Sequence, residues 1–405
     1  MRKLLSALYF FTALVSIVLY PRIHGLQFVQ YGLLLIMLIL YFIITMHGIK
    51  LSKNECTLTF FTVTFWTCSI IGAIASNGAS GILTAIVFLI CFIVTLTSVK
   101  YGLNNQLLKG FFFCAVLSSI YMIVDAFQFY LVSREPLIWI LVPVTRDPEV
   151  IGRPHPFLNL IGVFGIPLYR PCGLSPDPGC SVTAITLAYI IYKENMINMK
   201  KNRIYDILVF SAIIISISKT SIFALFMYFF IKKIPNYYLP IKNKKYNFLI
   251  IIGILELMGL FAIGLITPYT GNGNERHLKY FASLIYTPIA NPINFFFGYG
   301  FTNTGLFFDK YVPWISDVGK FRLTGHVCES TLTNIFLYGG FFGSFFWVYL
   351  FYIIFKSNNP KYLMIIDIII FLAFGYTISG AWLFFVLFSL CLKSLNTNKE
   401  YSLLK

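Results

Sequence analysis

The chain has 405 residues, of which 58% are hydrophobic and 11% charged, with a mean hydropathy of +0.79. That composition leaves too little polar surface to wrap a soluble core and excludes an ordinary cytosolic globule. The formal net charge of +16 ordinarily points to nucleic acid, but here the cations are spread over many separate short segments with no continuous basic face, so nucleic-acid binding is not expected.

Apolar runs fall at 4–19, 27–46, 57–75, 81–99, 110–131, 179–192, 204–217, 220–231, 247–267, 329–355, 362–375 and 379–392. They predict an all-α polytopic integral membrane protein, a single membrane domain over residues 1–405 with about 12 transmembrane helices. The first run follows Met1-Arg2-Lys3 and ends at Tyr20-Pro21 without a small-residue cleavage pattern, so a retained anchor is expected rather than a signal peptide. With the N-terminus inside, 20 of the 31 basic residues fall on the cytoplasmic side, and every short cytoplasmic loop carries at least two positive charges. Most of the net charge is therefore topology: short cytoplasmic loops of membrane proteins are enriched in Lys and Arg.

Nine of the eleven exceptions sit in two long polar outer loops, 132–180 and 268–328. The first holds Arg134, Arg146, Arg153 and Arg170 together with nine of the 17 prolines, which predicts an extended, Pro-stiffened segment and not another helix. Loops this long in a compact protein are usually functional. Solvated ion pairs with Glu135, Asp147, Glu149, Asp309 and Asp317 are the plainer account of any single cation. Cys172 and Cys180 bracket the turn at the end of the first loop. They are read either as a disulfide or as packed free thiols, whereas Cys68, Cys91, Cys114 and Cys391 read as small buried hydrophobes. Zinc held by Cys172, Cys180, His326 and Cys328 lacks the close paired spacing of such sites, and no metal is expected.

Basic clusters flank residues 203–233 on both sides, so this segment is predicted to enter and return as a hairpin turning at Ser218-Lys219-Thr220. At about 1.5 Å per residue the arms reach roughly 21 Å and 18 Å, short of a hydrocarbon core about 30 Å thick. Lys219 then lies at or below the outer headgroups, facing the bundle interior, or reaches up to water.

In the second loop, Arg276 and His277 stand at the start of a predicted short interfacial helix whose apolar stripe is Leu278, Phe281, Ala282 and Ile285. An arginine fork beside free helix N–H groups matches a phosphate, so a lipid-linked phosphate fits there; neutralisation of Arg276 by Glu275 is the alternative. The acid–base candidates lie at Arg322-Leu-Thr-Gly-His326-Val-Cys-Glu329. His326 and Glu329 are three apart and share a face in a helical first turn, where either can accept a proton, or Glu329 can simply favour the helix N-terminus.

Arg170-Pro-Cys-Gly173-Leu-Ser-Pro-Asp177-Pro178 resembles the Arg-x-x-Gly, Asp-Pro signature of bacterial O-antigen polymerases of the Wzy type. Ser218-Lys219-Thr220 is similar to the Ser-Arg-Thr element of the wider O-antigen ligase and polymerase superfamily. Arg276, Asn291-Pro292 and Gly298-Tyr-Gly300, with His326 and Gly339-Gly340 and Gly343, resemble its catalytic-loop region. The resemblance covers about residues 150–345. It departs at Lys219, where arginine is usual, and at Val327, where asparagine is common.

The resemblance implies a glycosyltransferase of the bacterial inner membrane, with N- and C-termini cytoplasmic, both long loops periplasmic, and no nucleotide sugar or essential metal. Its donor and acceptor are glycans on undecaprenyl diphosphate, and a chain-length regulator is a candidate partner. His326 or Glu329 would then serve as base. On that expectation Arg170, Arg276, Arg322 and Lys219 would grip the diphosphate, Arg146 and Arg153 would steer the donor, Asp177 would brace Arg170, and His277 would be a supporting residue. An O-antigen ligase is the near alternative. A flippase or transporter is the distant one, argued from Asp125, Glu256 and Asp367 inside spans.

Overall fold

The computed structural model describes residues 2–18, 50–76, 80–134, 160–163, 166–171, 173–174, 178–194, 196–197, 199–233, 291–301, 331–357, 359–375 and 380–403, with scattered positions between 32 and 43 and Leu137. In chain order its elements are α1 (Arg2–Val18), α2 (Lys53–Ala75), α3 (Ser80–Lys100), α4 (Asn104–Phe127), which runs on through a π-helical turn (Gln128–Ser133), β1 (Leu160–Val163), β2 (Ile166–Tyr169), α5 (Pro178–Lys193), α6 (Arg203–Ile215), α7 (Lys219–Lys233), α8 (Pro292–Phe297), α9 (Thr331–Lys356), α10 (Pro360–Gly375) and α11 (Gly380–Leu403). The fold is mostly helical. Every long helix coincides with one of the predicted apolar runs. The run 27–46 is described only at scattered helical positions, and the run 247–267 lies outside the described residues.

Among the described residues, three helices are long and apolar enough to cross a membrane: α2, α4 with its π-helical turn, and residues 337–356 of α9. Their outward faces carry exposed apolar side chains such as Phe60, Val124 and Val348, which suits an apolar solvent and would be costly in water. Between helices in such a solvent the hydrophobic effect contributes little, and close van der Waals packing carries association. Helix α1 packs on α4, α2 on α9, α3 on α11, α4 on α6, and α7 on α10. Where α2, α3, α9 and α11 meet, Phe65 stacks on Phe346 with ring centroids 5.0 Å apart, and Phe88 meets Phe384 edge-on at 4.5 Å. Such ring pairs are worth about 0.5–1.5 kcal/mol each beyond their buried area.

One end of the bundle is rich in lysine–carboxylate pairs. Lys100 at the end of α3 meets Glu55 in the first turn of α2 at 2.6 Å; Lys193 meets Asp206 at 2.7 Å; Lys232 meets Glu194 at 2.8 Å. Glu55 also reaches back to the Ser52 N–H at 2.7 Å, which fixes where α2 begins. The opposite end carries the antiparallel β1–β2 hairpin, in which Leu160 pairs with Tyr169 and Val163 with Ile166. Within 132–180 the extended residues are those of this hairpin, whereas Val132 and Ser133 belong to the π-helical turn and Pro178–Cys180 to the first turn of α5.

Candidate functional site

At the hairpin end, one stripe of α4 holds the segment that carries Arg170. Ser118, Met122, Asp125 and Phe129 follow one another at spacings of four, three and four, so they share a face. Asp125, only 2% exposed, accepts the Tyr169 hydroxyl on Oδ2 at 2.7 Å and the Leu137 N–H on Oδ1 at 2.7 Å. The Tyr169 ring stacks on Phe129 with centroids 4.1 Å apart. The Tyr130 hydroxyl receives the Tyr169 N–H at 2.8 Å and donates to the Tyr169 carbonyl at 3.2 Å. Phe129 and Tyr130 lie on the π-helical turn, whose wider winding brings consecutive side chains onto the same tyrosine; such turns recur at functional sites.

Four residues further on, Gly173 has φ +65, and a Cβ there would stand 2.6 Å from Ser118 Oγ and 3.1 Å from Ser181 Oγ. The Leu174 N–H donates to Ser118 Oγ at 3.2 Å. The Arg-x-x-Gly spacing thus has a local cause: glycine lets the backbone close onto α4 and α5 while Arg170 points elsewhere.

Arg170 Nε donates to the Ser216 carbonyl at 2.8 Å. Ser216 caps the C-terminus of α6, where unmatched carbonyls carry partial negative charge. The turn that follows holds Ile217 at φ 52, a left-handed conformation that costs a β-branched residue of the order of 1–3 kcal/mol. Lys219 then opens α7, completing the predicted helical hairpin with the lysine at its tip. It is half-buried, and Arg170 is close enough for the two positive charges to act on each other. Among the described residues no carboxylate forms an ion pair with Arg170. Two like charges held together in a partly buried place repel, and an anion received between them, beside the N–H groups of the α7 N-terminus, reverses that energy.

A second constellation has a packing role. Asn291 caps α8 by accepting the Ile293 N–H at 3.0 Å, and Pro292 takes the first turn, where its missing N–H costs nothing. The Tyr299 N–H then donates to the Leu337 carbonyl at 2.7 Å. Gly298 has φ +81 and Gly340, which kinks α9, has φ +59; a Cβ on either would lie 2.5–2.7 Å from the other's strand of backbone. The motif glycines 298 and 340 allow two backbones to touch, and that junction brackets residues 302–330.

Of the predicted site residues, the structure brings Arg170 and Lys219 together. Arg146, Arg153, Asp177, Arg276, His277, Arg322, His326 and Glu329 lie outside the described residues, as do the 278–285 stripe, Cys172, Cys328, Glu256 and the Cys180 side chain. Cys68, Cys91, Cys114 and Cys391 are buried thiols, as expected. The sequence singles out none of Tyr169, Tyr130 and Ser216, and it marks Asp125 only as an intramembrane acid. Its one visible signal was an aspartate in an otherwise apolar run.

No protein-family model matches this sequence, and no curated protein matches it.

Proposed function

We propose that this chain is an O-antigen polymerase, a polyprenyl-diphosphate-dependent glycosyltransferase of a bacterial inner membrane with about twelve spans. The observation that carries the reading is that Arg170 reaches the Ser216 carbonyl, three residues before Lys219, at the tip of the α6–α7 hairpin, so two cations lie near one turn in segments that sequence resemblance associates with one superfamily. The orientation follows from charge. Lys100, Lys193 and Lys232 mark the opposite end of the bundle, so that end is cytoplasmic by the loop-charge rule, as are both termini, and the Arg170 end faces the periplasm. The short hairpin arms leave the cations slightly below the outer headgroups, at the depth of a lipid-linked diphosphate.

In the reaction, the terminal hydroxyl of a newly delivered lipid-linked repeat attacks the anomeric carbon of the growing glycan on undecaprenyl diphosphate. The new glycosidic bond forms as the bond from that carbon to the diphosphate oxygen breaks. The hydroxyl proton passes to His326 or Glu329, and undecaprenyl diphosphate leaves with its developing charge stabilised by Arg170 and Lys219, joined by Arg276 and Arg322. Arg146 and Arg153 steer the donor, with Asp177 and His277 in support. No metal or nucleotide is required, and a chain-length regulator is a candidate partner. Engagement of Asp125 by Tyr169 and Leu137 gives that acid a structural occupation and weakens the transporter alternative.

The test is the lipopolysaccharide ladder of cells that depend on this protein. Removing one preorganised charge donor typically costs about 100- to 1,000-fold in rate, so Arg170→Ala should leave a single repeat on the core while the protein is still made. Loss of every repeat would instead indicate a ligase, and a normal ladder would remove Arg170 from the site.

A further inference from the structure

We propose that Asp125, Tyr169 and Tyr130 form a positioning device that sets the reach of Arg170 into the anion site; the proposal rests on the reading of that site given above. Tyr169 is the last residue of β2 and the immediate neighbour of Arg170, so any freedom in its backbone passes directly to the guanidinium. Three independent contacts remove that freedom: the ring stack on Phe129, the phenol to Asp125, and the double use of the Tyr130 hydroxyl by the Tyr169 N–H and carbonyl. A bundle seeking stability alone has little reason to bury a carboxylate. Filling the same space with an apolar side chain avoids the desolvation cost. What the carboxylate supplies is direction, because it accepts from two points of the outer segment at once, at 2.7 Å each.

The geometry is long-range. Asp125 and Tyr169 are 44 positions apart, and Arg170 and Ser216 are 46 apart, so α4 sets the arginine against a carbonyl on a different hairpin. A charge donor displaced by about 1 Å can lose on the order of 100-fold in effect. The device acts through Arg170 and touches no reacting atom.

The experiment measures binding of undecaprenyl diphosphate and, separately, of undecaprenol to the purified full-length protein in detergent, for the wild type, Tyr169→Phe, Arg170→Ala and the double variant. Tyr169→Phe removes one oxygen and keeps the ring stack; Asp125→Asn serves as a second probe of the same contact. The expected result is a loss of about tenfold in diphosphate affinity for Tyr169→Phe, no change for the alcohol, and no further loss when the change is added to Arg170→Ala, because residues acting through one another are not additive. A structural defect would weaken the alcohol equally. Unchanged affinity in both Tyr169→Phe and Asp125→Asn beside a weakened Arg170→Ala, or losses that simply add, overturns the positioning role. Unchanged diphosphate affinity in Arg170→Ala overturns the anion site itself, and the positioning role with it.

Discussion

Gly173 and Gly102 offer a matched pair that isolates close approach from backbone strain. Both have left-handed φ, +65 and +66, so alanine at either position bears the same conformational cost of about 1–2 kcal/mol. They differ in what an added Cβ meets. At Gly102, in the turn between α3 and α4, it meets no described atom within 4 Å; at Gly173 it stands 2.6 Å from Ser118 Oγ, 3.0 Å from Met122 Cγ and 3.1 Å from Ser181 Oγ. Real contacts of this kind begin several tenths of an ångström further out, and two of the three neighbours are short side chains on packed helices. The segment must therefore lift from α4 and α5, adding an overpacking cost of about 1–3 kcal/mol. Gly102→Ala should lower stability by about 1–2 kcal/mol and Gly173→Ala by about 2–5. Thermal unfolding of both variants in one detergent checks the ranking, and diphosphate binding checks that only Gly173→Ala displaces Arg170. Equal destabilisation of the two, or intact binding in Gly173→Ala, would refute the reasoning.

The Gly298–Gly340 junction makes a similar demand with backbone on both sides. Gly340→Ala combines φ +59 with a Cβ 2.5 Å from the Gly298 nitrogen, and it should reduce the yield of folded protein more than Gly102→Ala does, as size-exclusion profiles will report. Glu194 gives a pH dependence. Burial alone raises its carboxyl, but hydrogen bonds from Lys232 and Tyr228, with the nearby charges of Lys232 and Lys361, outweigh burial and hold it below the ordinary value of 4.5. A carboxyl lowered in the folded state contributes stability that is present above its unfolded value and lost as pH falls through its folded one. Thermal midpoints should therefore drop on acidification below about pH 4.5, and Glu194→Gln should flatten that drop. An unchanged acid limb would show that the Glu194–Lys232 pair contributes nothing.

The long helices were legible because an apolar solvent forces apolar runs, and the α6–α7 hairpin because lysines and arginines flank residues 203–233 on both sides. Arg170 was legible as a cation in a long polar segment that the predicted topology sets apart from the short basic loops. The clamp around it was not, since contacts such as Tyr169–Asp125 join positions 44 apart, and no periodicity within either segment reports such a pairing. Local strain was hidden too. Nothing in Gln128–Ser133 announces a π-helical turn, and Ile217 is a residue type that local preference would never assign a left-handed backbone; tertiary packing imposes both. Gly298 and Gly340 were visible as motif letters, but their work is a backbone crossing that only the three-dimensional arrangement reveals.

Arg170 and Lys219 are proposed to hold the diphosphate of a lipid-linked glycan during its transfer. The most direct test is elongation of a defined undecaprenyl-diphosphate-linked repeat by the purified protein in detergent or proteoliposomes. The wild type should build a ladder of products without added metal or nucleotide, and the Arg170→Ala, Lys219→Ala double variant should leave the starting repeat unextended. A full ladder from the double variant would remove both cations from the site, and a wild-type protein that binds the repeat and never extends it would rule out a polymerase.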